Sequence, residues 1–171
     1  MKSFVKSAVA AAALTVTGAA ASANTIVDIA AGDDRFSTLV AAVSAAGLVE
    51  TLSGPGPFTV YAPVNDAFAA LPEGTVDTLL QPENIGQLQA VLTYHVDDRK
   101  LLANEFAPGA NYYKPVNTAE RLCIDASSAG VTIADGTGQE ANVIIANIEA
   151  DNGVIHVIDK VLLPGTRPAC H

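Results

Sequence analysis

From Phe36 onward, the apolar residues Leu39, Val40 and Val43 recur at the spacing of one helical face. Asp34 stands ahead of them as a cap, and Gly47 follows where a helix can end. Ser53-Gly54-Pro55-Gly56-Pro57 then interrupts the pattern, because two prolines and two glycines neither propagate a helix nor fill a central strand. The run 58–61 reads as a strand stopped at Pro63, followed by a short helix carrying Asn65, Asp66 and Phe68. Another short helix is predicted over 74–80, and Pro82 opens a longer one with Ile85, Leu88 and Leu92 along one side. Tyr94-His95 falls at its end. Past Asp97-Asp98 the period changes: 111–116, 121–126, 131–134, 143–148 and 154–163 are short runs rich in β-branched residues, separated by Gly, Asp and Asn. Helices first and strands second predict an α+β fold. The last run, VIHVIDKVLL, is apolar on both parities, so both of its faces should be covered.

Ahead of this pattern stand Lys2 and Lys6, an apolar run over 8–21, and Ala21-Ser22-Ala23. That order is a secretory signal with a cleavage site before Asn24; the run is too short and too rich in alanine to span a bilayer comfortably. The expected organisation is therefore a signal peptide over 1–23 and a single domain over 24–171, secreted or periplasmic. Losing the leader leaves seven basic residues against eighteen acidic ones, a formal charge of about −11. Such a surface repels phosphate backbones and anionic lipid, which argues against nucleic acid and against stable membrane insertion. Cys123 and Cys170 meet an oxidising compartment, which predicts one disulfide stapling the tail 165–171 to the sheet; the rival is a pair of free thiols or a metal site.

Two segments carry a resemblance. GPFTVYAPVNDAFAAL over 56–71 and NGVIHVIDKVLLP over 152–164 resemble the two signature boxes of the fasciclin domain, and Tyr94-His95 between them resembles that family's tyrosine-histidine motif. The resemblance covers 25–164. It implies helices packed on a wedge of short, mostly antiparallel β-strands, and a non-enzymatic adhesion or interaction module binding a protein or glycan at a cell surface or matrix; a monomer is expected. In animal members the tyrosine-histidine motif and its branched neighbours are implicated in integrin binding; the matching positions are Tyr94, His95, Val91, Leu92 and Val96. Some secreted members bind carotenoids or other elongated apolar ligands. With half its residues apolar, this chain could line a groove for a carotenoid or lipid.

Asn65, Asp66, His95, His156 and Asp159 are the polar residues set in apolar sequence. His95 and Asp66 would make a base and its orienter, but catalysis also needs a nucleophile in reach, and no serine or cysteine stands in a recognisable nucleophile context. The expectation is a structural polar network in which these side chains satisfy one another and nearby backbone, since an unpaired buried polar group costs about 1 to 3 kcal/mol. The resemblance likewise implies that the first box and the motif histidine are held together to fix the fold. His95 and His156 lie on different elements without a ligand at helical spacing, so no metal is expected, and no cofactor either. The match of 136–141 to G-x-G-x-x-A precedes a strand rather than a helix, and is expected to be a turn.

Overall fold

In the computed structural model, which describes residues 24–117 and 119–170, the first helix, α1 (Ile26–Ala31), opens on a reciprocal cap. Asp28 N–H donates to the Thr25 hydroxyl at 3.2 Å, and Thr25 N–H donates to the Asp28 carboxylate at 3.0 Å. Six residues are too few to show a period, so this helix leaves no pattern in the sequence. A 3₁₀ turn, Asp34–Phe36, follows; its cap is Asp33, whose carboxylate accepts from Arg35 N–H, rather than the expected Asp34. Helix α2 (Ser37–Ala45) ends ahead of Gly47, which takes a φ of 69°. Then come α3 (Val49–Leu52), β1 (Phe58–Pro63), α4 (Asn65–Ala69), α5 (Thr75–Leu79) and α6 (Ile85–Tyr94). The expected leader lies outside the described residues.

The second half is β2 (Val96–Asp97), β3 (Gly109–Tyr113), β4 (Leu122–Ser127), β5 (Gly130–Ala134), β6 (Glu140–Ala150) and β7 (Gly153–Ile158). The strand order is β2-β1-β7-β6-β5-β4-β3. β7 runs parallel to β1, from Phe58 opposite Gly153 to Pro63 opposite Ile158; the other pairings among the described residues are antiparallel. β6 bridges the two halves of the sheet. Its first residues, 140–142, pair with β5, while from Val143 its pairing is with β7, through two register shifts. Bulges of that kind bend a strand, and here the bend opens the sheet into a wedge.

β7 is buried on both faces along its whole length. Ile155 and Val157, with Val60 and Ala62 of β1, pack against Phe36, Leu39, Val43, Leu88 and Leu92 from the helices. Ile158, with Tyr61, fills the wedge beside Tyr94, Phe106, Leu122, Ile124 and Ile133. The close approach of β1 and β7 requires Gly153: a Cβ there would lie 2.0 Å from the Phe58 carbonyl oxygen.

The expected strand over 154–163 stops at Ile158: Asp159 N–H still donates to the Asn142 carbonyl of β6 at 3.2 Å, but farther on the backbone donors find side chains instead of a neighbouring strand. Leu162 N–H donates to His95 and Leu163 N–H to Asp135. The disulfide Cys123–Cys170 is present and holds the tail beside β4 and β3. There Tyr112 Oη donates to the Pro168 carbonyl at 2.9 Å, and the Arg167 guanidinium lies 3.9 Å from the Tyr112 ring centre.

Candidate functional site

His95 follows the last turn of α6, and both of its ring nitrogens are engaged by backbone. Nδ1–H donates to the Val91 carbonyl at 2.8 Å, and Nε2 accepts from Leu162 N–H at 2.8 Å. This pair of bonds requires one neutral tautomer. Burial, the dominant cause, pushes the imidazole down to about 4, against the smaller opposing effects of the Val91 carbonyl and Asp135. A histidine so held is neither a base poised near neutrality nor a free metal ligand.

Asp135 completes the bracket. It is fully buried and accepts four hydrogen bonds: Leu163 N–H at 2.9 Å, Thr137 N–H at 2.8 Å, the Thr137 hydroxyl at 2.7 Å and Gln139 N–H at 3.0 Å. The Gly-rich segment is accordingly a turn wound on this carboxylate. Sequence reading missed Asp135, whose one signal is an Asp at the head of Asp-Gly-Thr-Gly.

Tyr94 is buried completely, its hydroxyl donating to the Arg121 carbonyl at 2.7 Å, and burial pushes that hydroxyl up from its ordinary value. Val91, Leu92, His95 and Val96 are 8%, 4%, 2% and 5% exposed. The expected contact patch of Tyr94, His95, Val91, Leu92 and Val96 is thus brought together, but as core. Ring and aliphatic carbons gain more from closing the wedge than from facing water, and the tyrosine finds its oxygen a partner inside.

The remaining polar residues do not form one network. Asn65 clips α4 to the start of α2, its Nδ2 donating to the Asp34 carbonyl at 2.8 Å and its Oδ1 accepting from Thr38 N–H at 3.1 Å. Asp66 is exposed, which corrects its expected burial; in the first turn of α4 a carboxylate faces solvent and favours the helix dipole. His156 is fully buried, donating from Nε2 to the Leu101 carbonyl at 2.6 Å and accepting on Nδ1 from Asn147 N–H at 3.3 Å; burial lowers its pKa. Asp159 clasps Asn142 through the backbone N–H at 2.7 Å and the side-chain amide at 2.8 Å. These are separate staples between elements. Asn152, the first residue of the second box, is another: its Nδ2 donates to the Leu52 and Gly54 carbonyls at 2.6 and 2.9 Å.

What faces outward is a different set. Ile144 and Ile145 on β6 are 52% and 37% exposed. Beyond Asn142, β6 pairs with β7 on one side and has no described strand on the other. Among the described residues no cluster of three metal-ligating side chains occurs. Two apolar cavities beneath the helices measure about 30 and 20 Å³, far below the several hundred Å³ of a ligand pocket.

The fasciclin domain family model matches residues 34–164. Protein sll1483 of Synechocystis sp. is 51% identical over 145 residues, covering 84% of this chain and 75% of that protein. Transforming growth factor-beta-induced protein ig-h3 of Sus scrofa is 40% identical over 140 residues, covering 82% of this chain and 19% of that protein. Among solved structures, a FAS1 domain pair from the insect cell adhesion molecule Fasciclin I aligns with a TM-score of 0.50 at 21% identity, covering 80% of this chain and 43% of that one. That last likeness is one of fold alone.

Proposed function

Because this chain belongs to the fasciclin domain family, a family of non-enzymatic adhesion proteins, we propose that it works as an exported interaction module. It would hold a protein or glycan of a cell surface or matrix through the step of β6 at Ile144 and Ile145. The observation that carries this placement is the exposure of two neighbouring isoleucines on a strand whose adjacent edge is unpaired among the described residues. An unpaired edge offers backbone donors and acceptors to an extended partner segment, and apolar side chains release water on contact. The buried tyrosine-histidine corner serves this surface indirectly, by fixing the wedge from which β6 emerges.

Export places the module where such partners are, with the leader removed before Asn24 and the product periplasmic or secreted as a monomer. No helix among the described residues is long and apolar enough to cross a membrane. A carotenoid or lipid carrier is supported less well, since the helices would have to part widely from cavities of about 30 and 20 Å³ to admit an elongated ligand.

The test is adhesion of cells or envelope components to immobilised protein. Ile144→Asp combined with Ile145→Thr should reduce binding at least about tenfold with circular dichroism unchanged, as loss of two central apolar anchors does at interfaces. Binding by the parent should survive about 0.5 M salt, where exposed charges are screened. Binding that ignores the double variant but vanishes in salt would move the site to the carboxylates and refute this placement.

A further inference from the structure

We infer that removal of the leader builds part of the folded state: the α-ammonium created at Asn24 pairs with Asp151 and pins the start of the mature chain to the turn that feeds the central strand. This rests on the export reading and its cleavage site. The segment Ala21-Ser22-Ala23 places that cut immediately before Asn24, and Asn24 is already docked. Its nitrogen donates to Asp151 Oδ2 at 2.8 Å, and Asp151 N–H donates back to the Asn24 carbonyl at 3.0 Å. Two residues on, Ile26 N–H donates to Asn152 Oδ1 at 3.0 Å. Asn152 in turn accepts Phe58 N–H on its own carbonyl at 3.0 Å, where β1 begins, and leads directly into β7 at Gly153. The first residue after the cut is therefore one hydrogen bond from the residue pair that sets both central strands.

Cleavage changes the chemistry of that contact. A leader peptidase adds the oxygen of a water to the Ala23 carbonyl carbon and breaks its bond to the Asn24 nitrogen. That nitrogen leaves with the proton, and a further proton from solvent makes it an ammonium at neutral pH. The new carboxylate departs with the leader. A neutral amide with one N–H becomes a cation with three. The charged group in contact with it is Asp151 from the turn; Asp28 of α1 is spent on the next residue, its carboxylate holding Thr25 N–H at 3.0 Å and the Thr25 hydroxyl at 2.6 Å. Glu149, two residues before Asp151, is occupied by Lys100 at 2.9 Å. An α-amino group ordinarily titrates near 7.7 to 8.0, and opposite charge beside it favours the charged form. The folded value is then raised, so the stabilisation is complete below the ordinary value and is lost as pH rises through the raised one.

Two measurements separate this inference from the reading beneath it. Amino-terminal sequencing of the exported protein should return Asn24; any other start overturns the cleavage site, and with it the pairing in the natural product. Independently, a chain released in vitro to begin at Asn24 should show an α-amino pKa above about 8 by nuclear magnetic resonance, falling by about half a pH unit in Asp151→Asn. Its melting temperature should exceed that of a chain retaining Ala23 at about pH 6.5, and the difference should close near pH 10, where the amine is neutral. An α-amino pKa indifferent to Asp151→Asn, or a difference in melting temperature that does not change with pH, would reduce Asp151 to an ordinary amide acceptor and overturn the inference.

Discussion

His95 is held by two backbone groups that tolerate only its neutral form, and acid is what tests such an arrangement. Its pKa is lowered in the folded chain from 6.5 to about 4. The unfolded chain takes up a proton below about pH 6.5 while the folded one resists until about pH 4, so stability is full above the first value and falls between the two. The loss is on the order of 3 kcal/mol for this residue, and His156, lowered in the same direction, adds to it. His95→Gln should lower the denaturant midpoint at pH 7 yet give a flatter decline between pH 6.5 and 4; a slope equal to the parent's would show that His95 does not titrate with folding. The sequence singled out His95 and His156 because each interrupts apolar runs. It could not distinguish Asp66, whose neighbours are equally apolar, since burial at a given turn of a five-residue helix depends on what packs opposite. Nor did it single out Asp135, whose partners Thr137 and Gln139 are local but whose partner at Leu163 is brought up only by the fold.

Among the elements, β7 shows most clearly how far a hydrophobic pattern reaches. Ten residues of strand-like sequence predicted ten residues of strand, and apolar residues on both parities correctly predicted burial on both faces. The pattern reports burial, however, and not which group accepts each N–H. Past Ile158 only Val161 and Leu162 of the run stay buried, and side chains take over from the ladder at Leu162 and Leu163. Similar limits explain β6, read as 143–148 and observed over Glu140–Ala150, whose ends are polar but paired. The α2 and α6 helices were legible because their periods run long enough to count; α1 was not. The β1–β7 contact gives a sharp prediction at this scale. Gly153→Ala would place a carbon 2.0 Å from the Phe58 oxygen, where backbone rather than a flexible side chain must move. It should cost at least about 3 kcal/mol by denaturant unfolding, more than an overpacked core methyl commonly does. A loss within about 1 kcal/mol would mean that the two strands separate more easily than their pairing suggests.

At the scale of the whole molecule, the two cysteines close a loop across a sequence separation of 47. In the chain-entropy account a loop of that size is worth about 4 kcal/mol. Replacing both cysteines with alanine should therefore lower stability by up to about that amount and leave the fold in place, because the tail is also held by Tyr112 against Pro168 and Arg167, and by the close packing of Gly136 on Gly165. Far-ultraviolet circular dichroism should be retained while the melting temperature falls; loss of the dichroism would show that the bridge is needed to fold at all. Fold class and family were legible at this scale because they reside in two long boxes. The outward surface was not, since exposure at Ile144 and Ile145 arises where β6 leaves one half of the sheet for the other.

The parallel pairing of β1 with β7 also governs time. Phe58 meets Gly153 across about ninety-five residues, so the middle of the sheet closes only when both ends of that stretch are in the same place. Closing so long a loop before its contacts reward it is slow compared with forming helices or hairpins. A chain that emerges amino end first delivers its helices early and β7 nearly last, so until its last residues are out it lacks the strand that joins β1 to β6. Late closure makes the arrival of the second box the event that commits the chain to fold.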